Sequence, residues 1–461
     1  FKTQHSMNCH LLGVDTKKIA VNFLHKFAEK HKYKFSLKFM KVEKSKTKEQ
    51  ISDGPVEQTI HDEFYNWMNY QRNLDQSPYN VSSKFLNLGL DNEYKRFVEN
   101  YFKWLKEENL IDFIGMIEEG IKEAVYPNVE LLLVDEWQDL TPLQARQITF
   151  WATKSLNSYH AGDDDQAIYT YAGASPELFI NFPCDITIKL TTTYRLPKKI
   201  FEASKFIALN KNRETKGELK TKDLDGEVKL SYNFNQIIKE FKLSPSKSWF
   251  FLVRNNFLKP YVKHDLMKND VPVGIKSDIW NAIKIMIKPQ EFYSFADLSL
   301  MISKYFPSGF YWKRGSKKQL KDLLTKNEVQ SLSIKQLSDY GATSELLNDM
   351  KTGNVLKLNI LNVNKAIDVE LINYTRKMIE IYGDNYNPVI IATIHAVKGR
   401  EADKVVLFRD VAKRSADEEI GRGKEAERRV WYVGLTRAKE TVYALSGPRY
   451  GVRQTVLLPW R

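Results

Sequence analysis

Two acidic residues, Asp135 and Glu136, follow directly on the apolar run Leu131 to Val134, and the block continues as Trp137-Gln138-Asp139. Carboxylates at the end of a buried strand have a defined chemical use. The first can hold a divalent cation, directly or through water, and the second can orient or deprotonate a water that attacks a phosphate. A lone acidic pair after a strand is ordinarily a helix cap or a solvated turn. Here a second polar block, Gly162-Asp163-Asp164-Asp165-Gln166, follows Ser158 to Ala161, and a third runs from Tyr432 to Arg437. Together they point to phosphate chemistry. A phosphate site also needs backbone amides and a lysine, yet no Gly-x-x-x-x-Gly-Lys-Ser/Thr loop occurs in the 461 residues.

The elements that must position these groups are short. Val129 to Val134, Ser158 to Ala161 and Ile186 to Leu190 are apolar runs that end in polar loops, the pattern of buried parallel strands with functional groups at their carboxyl ends. Between the first two, Pro142 to Trp151 has helical spacing of apolar residues, with Pro142 suited to a first turn. A second set comprises Trp249 to Val253, ending in Arg254-Asn255-Asn256, then Val389 to Thr393, Lys404 to Phe408 and Thr441 to Leu445. The stretches from about Gly13 to Leu110 and from Val271 to Asp384 read mainly as helices.

Bulk properties narrow the partners. A chain of 461 residues that is 43% hydrophobic can build several cores. The net charge of +13 favours a polyanionic partner, and an anionic membrane surface is the weaker fit. Cys9 and Cys184 are the only cysteines, too few for a disulfide framework or a Cys-rich metal site, and a reducing cytoplasm is the natural compartment. The start, Phe1-Lys2-Thr3-Gln4-His5, has neither an initiator methionine nor a signal-peptide pattern and reads as a chain entered mid-domain. Lys30 to Lys48 interleaves lysines with Tyr33, Phe35, Leu37 and Phe39, and its period of two from Lys32 to Lys38 hints at a strand. Lys313-Arg314 and Lys317-Lys318, beside Phe310 to Trp312, form a second basic patch. A solvated lysine face is favoured for both over direct nucleic-acid contact.

The order of the blocks resembles the superfamily 1 DNA helicases of the UvrD, Rep and PcrA type. Asp135 to Asp139 matches their Asp-Glu-x-Gln-Asp box, and Gly162 to Tyr169, continuing to Ala172-Gly173-Ala174, is similar to their Gly-Asp-x-x-Gln-Ser-Ile-Tyr block. Thr193-Tyr194-Arg195 resembles Asn-Tyr-Arg, Thr393 to Glu401 resembles Thr-Leu-His-x-x-Lys-Gly-Leu-Glu, and Glu427 to Ala438 follows Glu-Arg-Arg-Leu-x-Tyr-Val-Gly-x-Thr-Arg-Ala. Thr3-Gln4-His5-Ser6 fits the Thr-x-His element that follows the phosphate loop.

The resemblance implies an α/β fold: two RecA-like P-loop NTPase motor domains with parallel sheets, each interrupted by a mainly helical accessory insertion. On that basis residues 1–12 are a remnant of the first motor, 13–110 its insertion and 111–190 its main part. Residues 191–270 and 385–461 make the second motor around an insertion at 271–384. The implied cofactors are ATP and Mg²⁺, with Asp135 holding the metal. Glu136, Gln166, Arg195 and Arg437 would act on the γ-phosphate, while Tyr194 would stack on adenine and Glu401 would lie near the ribose. Thr3, His5, Tyr169, Tyr171, Arg254, Asn256, Thr393 and His395 would contact nucleic acid. Where the family often has Trp-Arg, this chain has Tyr171-Ala172, so a stacking ring is kept and an arginine contact is lost.

The implied activity is ATP-driven 3′ to 5′ translocation and strand separation on single-stranded DNA and duplex junctions, by a cytoplasmic monomer or weak dimer. The phosphate loop is then expected before Phe1, and these 461 residues alone are expected to hydrolyse ATP negligibly. Two alternatives stay open: an ATP-incompetent DNA-binding or clamp protein, and a motor subunit of a helicase and nuclease complex.

Overall fold

A computed structural model describes residues 2–36, 59–208, 220–231, 233–275, 277–287, 290–302, 306, 310–326, 330–352, 365–383, 387–421, 423–445 and 453–455. The chain falls into two compact units, the first made of Phe1–Tyr232, Leu252–Phe257 and Thr393–Arg461, the second of Asn233–Phe251 and Leu258–Ala392. Helices and parallel strands are mixed throughout.

In the first unit, strands Leu131–Val134 and Asn157–His160 pair in parallel, with Leu131 opposite Asn157 and Val134 opposite His160. The ladder runs on into both functional blocks, because Ala161 N–H donates to Val134 O (2.8 Å) and Trp137 N–H donates to Ala161 O (3.0 Å). Pro142–Ala152 is a helix, as its spacing predicts. Thr141 and Gln144 close a capping box at its start, satisfying two backbone donors reciprocally. Trp137, Ala145, Ile148 and Trp151 form the buried cluster under this strand, helix, strand unit.

The expected strand Ile186 to Leu190 is not formed. Ile186, Ile188 and Leu190 are 78%, 75% and 87% exposed, and the segment joins no ladder among the described residues. An apolar run becomes a strand only where a partner edge takes its backbone hydrogen bonds. The outward side chains of the neighbouring pair, Leu131, Leu133 and Tyr159, are exposed too.

The same unit holds three longer parallel neighbours. Ala438–Leu445 lies between Glu227–Ser231 and Ala402–Phe408, with Val442 opposite both Val228 and Val405. Residues 405–408 and 442–445 are almost wholly buried, as continuous apolar runs in parallel strands should be. Helix Lys424–Leu435 packs on helix Lys198–Ala208 and reaches the turns Asp164–Gln166 and Ile394–Val397. Gly434 allows that approach: a Cβ there would stand 3.1 Å from Leu407 and 3.2 Å from Ile394.

The helix-rich stretch before the first strand has an aromatic core. Phe27 contacts Tyr33, Phe97, Tyr101 and Trp104 at ring separations of 5.2 to 5.5 Å. Buried Arg72 forks onto Asp112 (2.7 and 3.0 Å) and Glu118 (2.6 Å), and Tyr101 Oη donates to Asp112 (2.8 Å). Of the Lys30 to Lys48 stretch, residues 37–48 lie outside the described residues. Residues 33–36 form no strand; Phe35 is instead buried in the aromatic core, and Lys30 pairs with exposed Glu107 at 2.7 Å. Packing of alternate aromatics into a helical core overrode the period of two.

In the second unit, strand Trp249–Val253 contributes Trp249 to Phe251, all buried, and Phe241 of helix Phe234–Leu243 packs on Trp249 at 5.6 Å. Tyr374 Oη donates to Val271 O (2.6 Å) and accepts from Val273 N–H (2.8 Å), tying helix Lys365–Tyr382 to the chain entering the 271–384 stretch. Tyr311 and Trp312 are fully buried, with Trp312 Nε1 donating to Met301 O at 3.0 Å. The aromatics of that basic patch are core residues, and burial pushes the Lys317 ammonium down. Among the described residues no helix is long and apolar enough to cross a membrane.

Candidate functional site

Every residue singled out in the sequence as acting on nucleotide or nucleic acid falls in the first unit. Glu136 sits at φ 56°, ψ 36°, in the left-handed region that a non-glycine residue enters only at an energetic cost. The strained turn lifts its carboxylate away from the strand into solvent. Gln138, fully buried, fixes it there: Nε2 donates to Glu136 Oε2 (2.6 Å), while Oε1 accepts from Asp163 N–H (2.9 Å). Thus one amide side chain locks the acidic block to the Gly-Asp block. Gly162 makes room for it, since a Cβ at that position would lie 2.7 Å from Gln138 Oε1 and 3.1 Å from the Phe179 ring. Asp135 is exposed, and its Oδ1 accepts from Glu136 N–H at 2.9 Å.

Gln166 is the meeting point of the two halves of the unit. Its Nε2 donates to Asp163 Oδ2 (2.8 Å), its Oε1 accepts from Arg437 Nη2 (3.0 Å), and its backbone oxygen accepts from Lys398 Nζ (2.6 Å). Arg437 is 1% exposed, and its other hydrogen bonds go to Val433 O (2.9 Å), Arg400 O (3.5 Å) and Thr436 Oγ1 (3.1 Å). All four acceptors are uncharged. Burial and then the nearby Arg195 push the Arg437 guanidinium down to about 10, so it remains a cation at neutral pH. Arg195 Nε donates to Glu401 Oε2 (2.8 Å), and Tyr194 beside it is 84% exposed.

A buried cation without a carboxylate in hydrogen-bond contact is costly, and an anion entering beside it would recover that cost. Arg437 therefore suits a bound phosphate, Arg195 could join it by exchanging its Glu401 partner, and Asp135, exposed and carboxylate-bearing, suits a hard cation. The donor set fits a nucleotide with Mg²⁺.

A second group lies alongside. His395 stands 5.8 Å from the Tyr171 ring and 6.2 Å from Tyr169, and Tyr169 Oη donates to His395 O (3.4 Å). Burial, with the Arg254 and Lys398 cations close by, pushes the His395 imidazole down to about 4, leaving it neutral at pH 7. Tyr171 is 70% exposed, its loop anchored from behind by Asn73 Nδ2 donating to Ala172 O at 3.1 Å. Thr393 Oγ1 caps the turn Ile394–Val397 by accepting from Ala396 N–H (3.4 Å). Arg254 is held in a two-pronged pair with buried Glu427 (2.8 and 2.5 Å), while Asn256 is exposed.

Thr3 and His5 stand with a different neighbourhood. Thr3 caps helix Gln4–Leu11, accepting from Ser6 N–H at 3.2 Å, and His5 packs edge-on to Phe113 at 5.5 Å, its imidazole lowered by burial.

Sequence reading gave no role to Lys398, Asp139 or Gln138, although all three lie inside the quoted blocks. Their place inside these blocks was the available signal. Lys398 Nζ reaches Asp139 Oδ2 (2.5 Å) and Glu136 Oε2 (3.4 Å), with its side chain 6% exposed.

These features define a parallel α/β protein whose acidic and Gly-Asp blocks meet a buried arginine through Gln166 and Glu136, beside an aromatic loop. Residues 1–187 match the UvrD/REP helicase N-terminal domain, and residues 301–446 match the UvrD-like helicase C-terminal domain. The chain carries UvrD/Rep-type helicase domains and is homologous to DNA helicase II and Rep. DNA helicase II of Rickettsia typhi is 26% identical over 460 residues, covering 79% of this chain and 69% of the relative. The ATP-dependent DNA helicase Rep of Buchnera aphidicola subsp. Schizaphis graminum is 22% identical over 457 residues, covering 77% and 68%. Rep of Buchnera aphidicola subsp. Acyrthosiphon pisum is 23% identical over 451 residues, covering 77% and 70%. The matches support a DNA helicase of the UvrD/Rep type.

Proposed function

We propose that the chain is the motor of an ATP-driven DNA translocase that separates strands, moving 3′ to 5′ along single-stranded DNA. The observation that carries this reading is Arg437: a buried guanidinium with only uncharged acceptors, bonded to Gln166 and close to Arg195 and Glu136. Such a group is satisfied by an incoming phosphate. When bound, Mg²⁺ would neutralise charge on the β- and γ-phosphate oxygens.

The chain's own residues divide the remaining work. Asp135 offers its carboxylate to the metal, and Glu136, held by Gln138, accepts a proton from the attacking water. Arg437 and Arg195 stabilise charge on the γ-phosphate, and Gln166 links Arg437 to the acidic blocks. Tyr194 is exposed for stacking on adenine, and Glu401, now paired with Arg195, is positioned to meet the ribose. Tyr171, Tyr169, His395 and Thr393 form the nucleic-acid face, where a base stacked on an aromatic ring gains ~1–3 kcal/mol without regard to sequence. Arg254 and Asn256 extend it, and Thr3 and His5, in their separate neighbourhood, would contact nucleic acid as well.

In this reading residues 111–190 and 191–270 with 385–461 are two RecA-like motors, carrying insertions at 13–110 and 271–384.

The test is Arg437→Met in the full-length protein. Single-strand-stimulated ATP turnover should fall by ~10³-fold or more, by the usual worth of such an arginine. Thermal stability should hold or rise, because the substitution removes a buried charge. Turnover within a few-fold of wild type would refute the assignment.

A further inference from the structure

The helix-rich stretch before the first strand reaches the exposed Tyr171 loop at the end of helix Ile60–Asn73, where Asn73 Nδ2 donates to Ala172 O (3.1 Å) across 99 residues of chain. The receiving loop is a single turn, Thr170–Ala172, closed by Gly173 at φ 98°, in the left-handed region that favours glycine. A Cβ on Gly173 would stand 3.3 Å from Asn73 Cβ and 3.6 Å from Leu74 Cδ2. The glycine therefore both completes the turn and lets the helix end close on it.

The donor itself is held from both sides. Arg72, the residue before it, is buried and forks onto Asp112 (2.7 and 3.0 Å) and Glu118 (2.9 and 2.6 Å), while Asp75, just beyond, pairs with Arg146 at 3.0 Å. Pulling one partner out of a buried ion pair is strongly unfavourable, so the last turn of this helix has little freedom. The Arg72 cluster takes no part in the nucleotide or nucleic-acid roles above. Its effect is to fix Asn73 against the loop.

We propose that Asn73 is a positioning residue that sets the Tyr171 ring for base stacking. The inference rests on the reading of Tyr171 as a nucleic-acid contact. Tyr171 is 70% exposed, so the direction of its ring follows mainly from the backbone of the turn that carries it. Ala172, the next residue, is held at both its peptide groups: its N–H donates to Tyr169 O (2.9 Å), and its carbonyl accepts from Asn73. A ring ordered before a base arrives spares the complex part of the entropy that stacking would otherwise cost.

The experiment measures the affinity of the full-length protein for a fluorescent oligothymidylate in a double-mutant cycle of Asn73 and Tyr171. Tyr171→Ala should weaken binding ~5-fold or more, the lower end of the worth of one stacked base. Asn73→Ala should weaken it ~3- to 10-fold, the scale of one hydrogen bond. In the Tyr171→Ala background the same substitution should leave affinity within about 2-fold, because the ring through which Asn73 acts is gone. Asn73→Leu, of similar size and without a donor, should repeat the pattern. An equal loss in both backgrounds would show that Asn73 acts on the fold at large and not through the ring, and overturns the proposal; wild-type affinity in both Asn73 variants also overturns it. Tyr171→Ala binding like the wild type would instead overturn the reading of the ring as a base contact, and the positioning with it.

Discussion

At the scale of single residues, the site is a set of local costs accepted at adjoining positions. Glu136 is strained into the left-handed region, Arg437 is a buried cation without a carboxylate hydrogen bond, and His395 is a half-buried neutral imidazole. Each lowers stability, and each puts a group where phosphate or nucleic acid would meet it. His395 gives a pH prediction. In the unfolded chain its imidazole titrates near ~6.5, and in the folded chain near about 4. Above the unfolded value both states are neutral and the stability is fully present; as pH falls from there towards the folded value, only the unfolded state takes up the proton. About 3 kcal/mol is lost across that window. His5 and His160, also lowered by burial, act in the same direction. Urea unfolding at about pH 7 and about pH 5 should show about 2 kcal/mol of this loss in the wild type and a smaller loss in His395→Asn. Equal losses in the two proteins would mean that His395 is not held neutral.

At the scale of elements, the decisive contacts are made where strands end and glycines let neighbours close in. Gly162 is the clearest case, because Gln138 must pass within reach of Asp163 N–H. Gly162→Ala should cost about 1–3 kcal/mol by overpacking and lower the urea midpoint, with the slope unchanged. A midpoint at the wild-type value would show that Gln138 is free to withdraw. How far these elements were legible in the sequence follows from the same physics. The strand before Asp135 and the strand after Arg437 announce themselves as apolar runs, and the Pro142 helix by its spacing, since each finds a partner within the chain. Ile186 to Leu190 has the same pattern but no ladder among the described residues, and pattern alone does not reveal a missing partner. Arg437 and Gln166 could be picked out by the blocks around them, whereas the Lys398 hub depends on residues 136, 139, 166 and 398 meeting in space.

At the scale of the whole molecule, a charge of +13 over 461 residues suits a partner of regular negative charge, and the UvrD/Rep-type domains make that partner DNA. Both the carboxylates that would handle phosphate and the aromatic loop that would hold bases belong to one compact unit, joined through Gln166 and Lys398. A motor needs that junction, because hydrolysis without movement of the nucleic acid does no work. The account's central claim is that Glu136 is the base of an ATP-driven DNA motor. Its most direct test is Glu136→Gln in the full-length protein, with ATP binding and single-strand-stimulated turnover measured side by side. We predict turnover reduced by ~10²-fold or more, the usual scale of a lost general base, with ATP still bound; turnover at the wild-type rate would contradict the account.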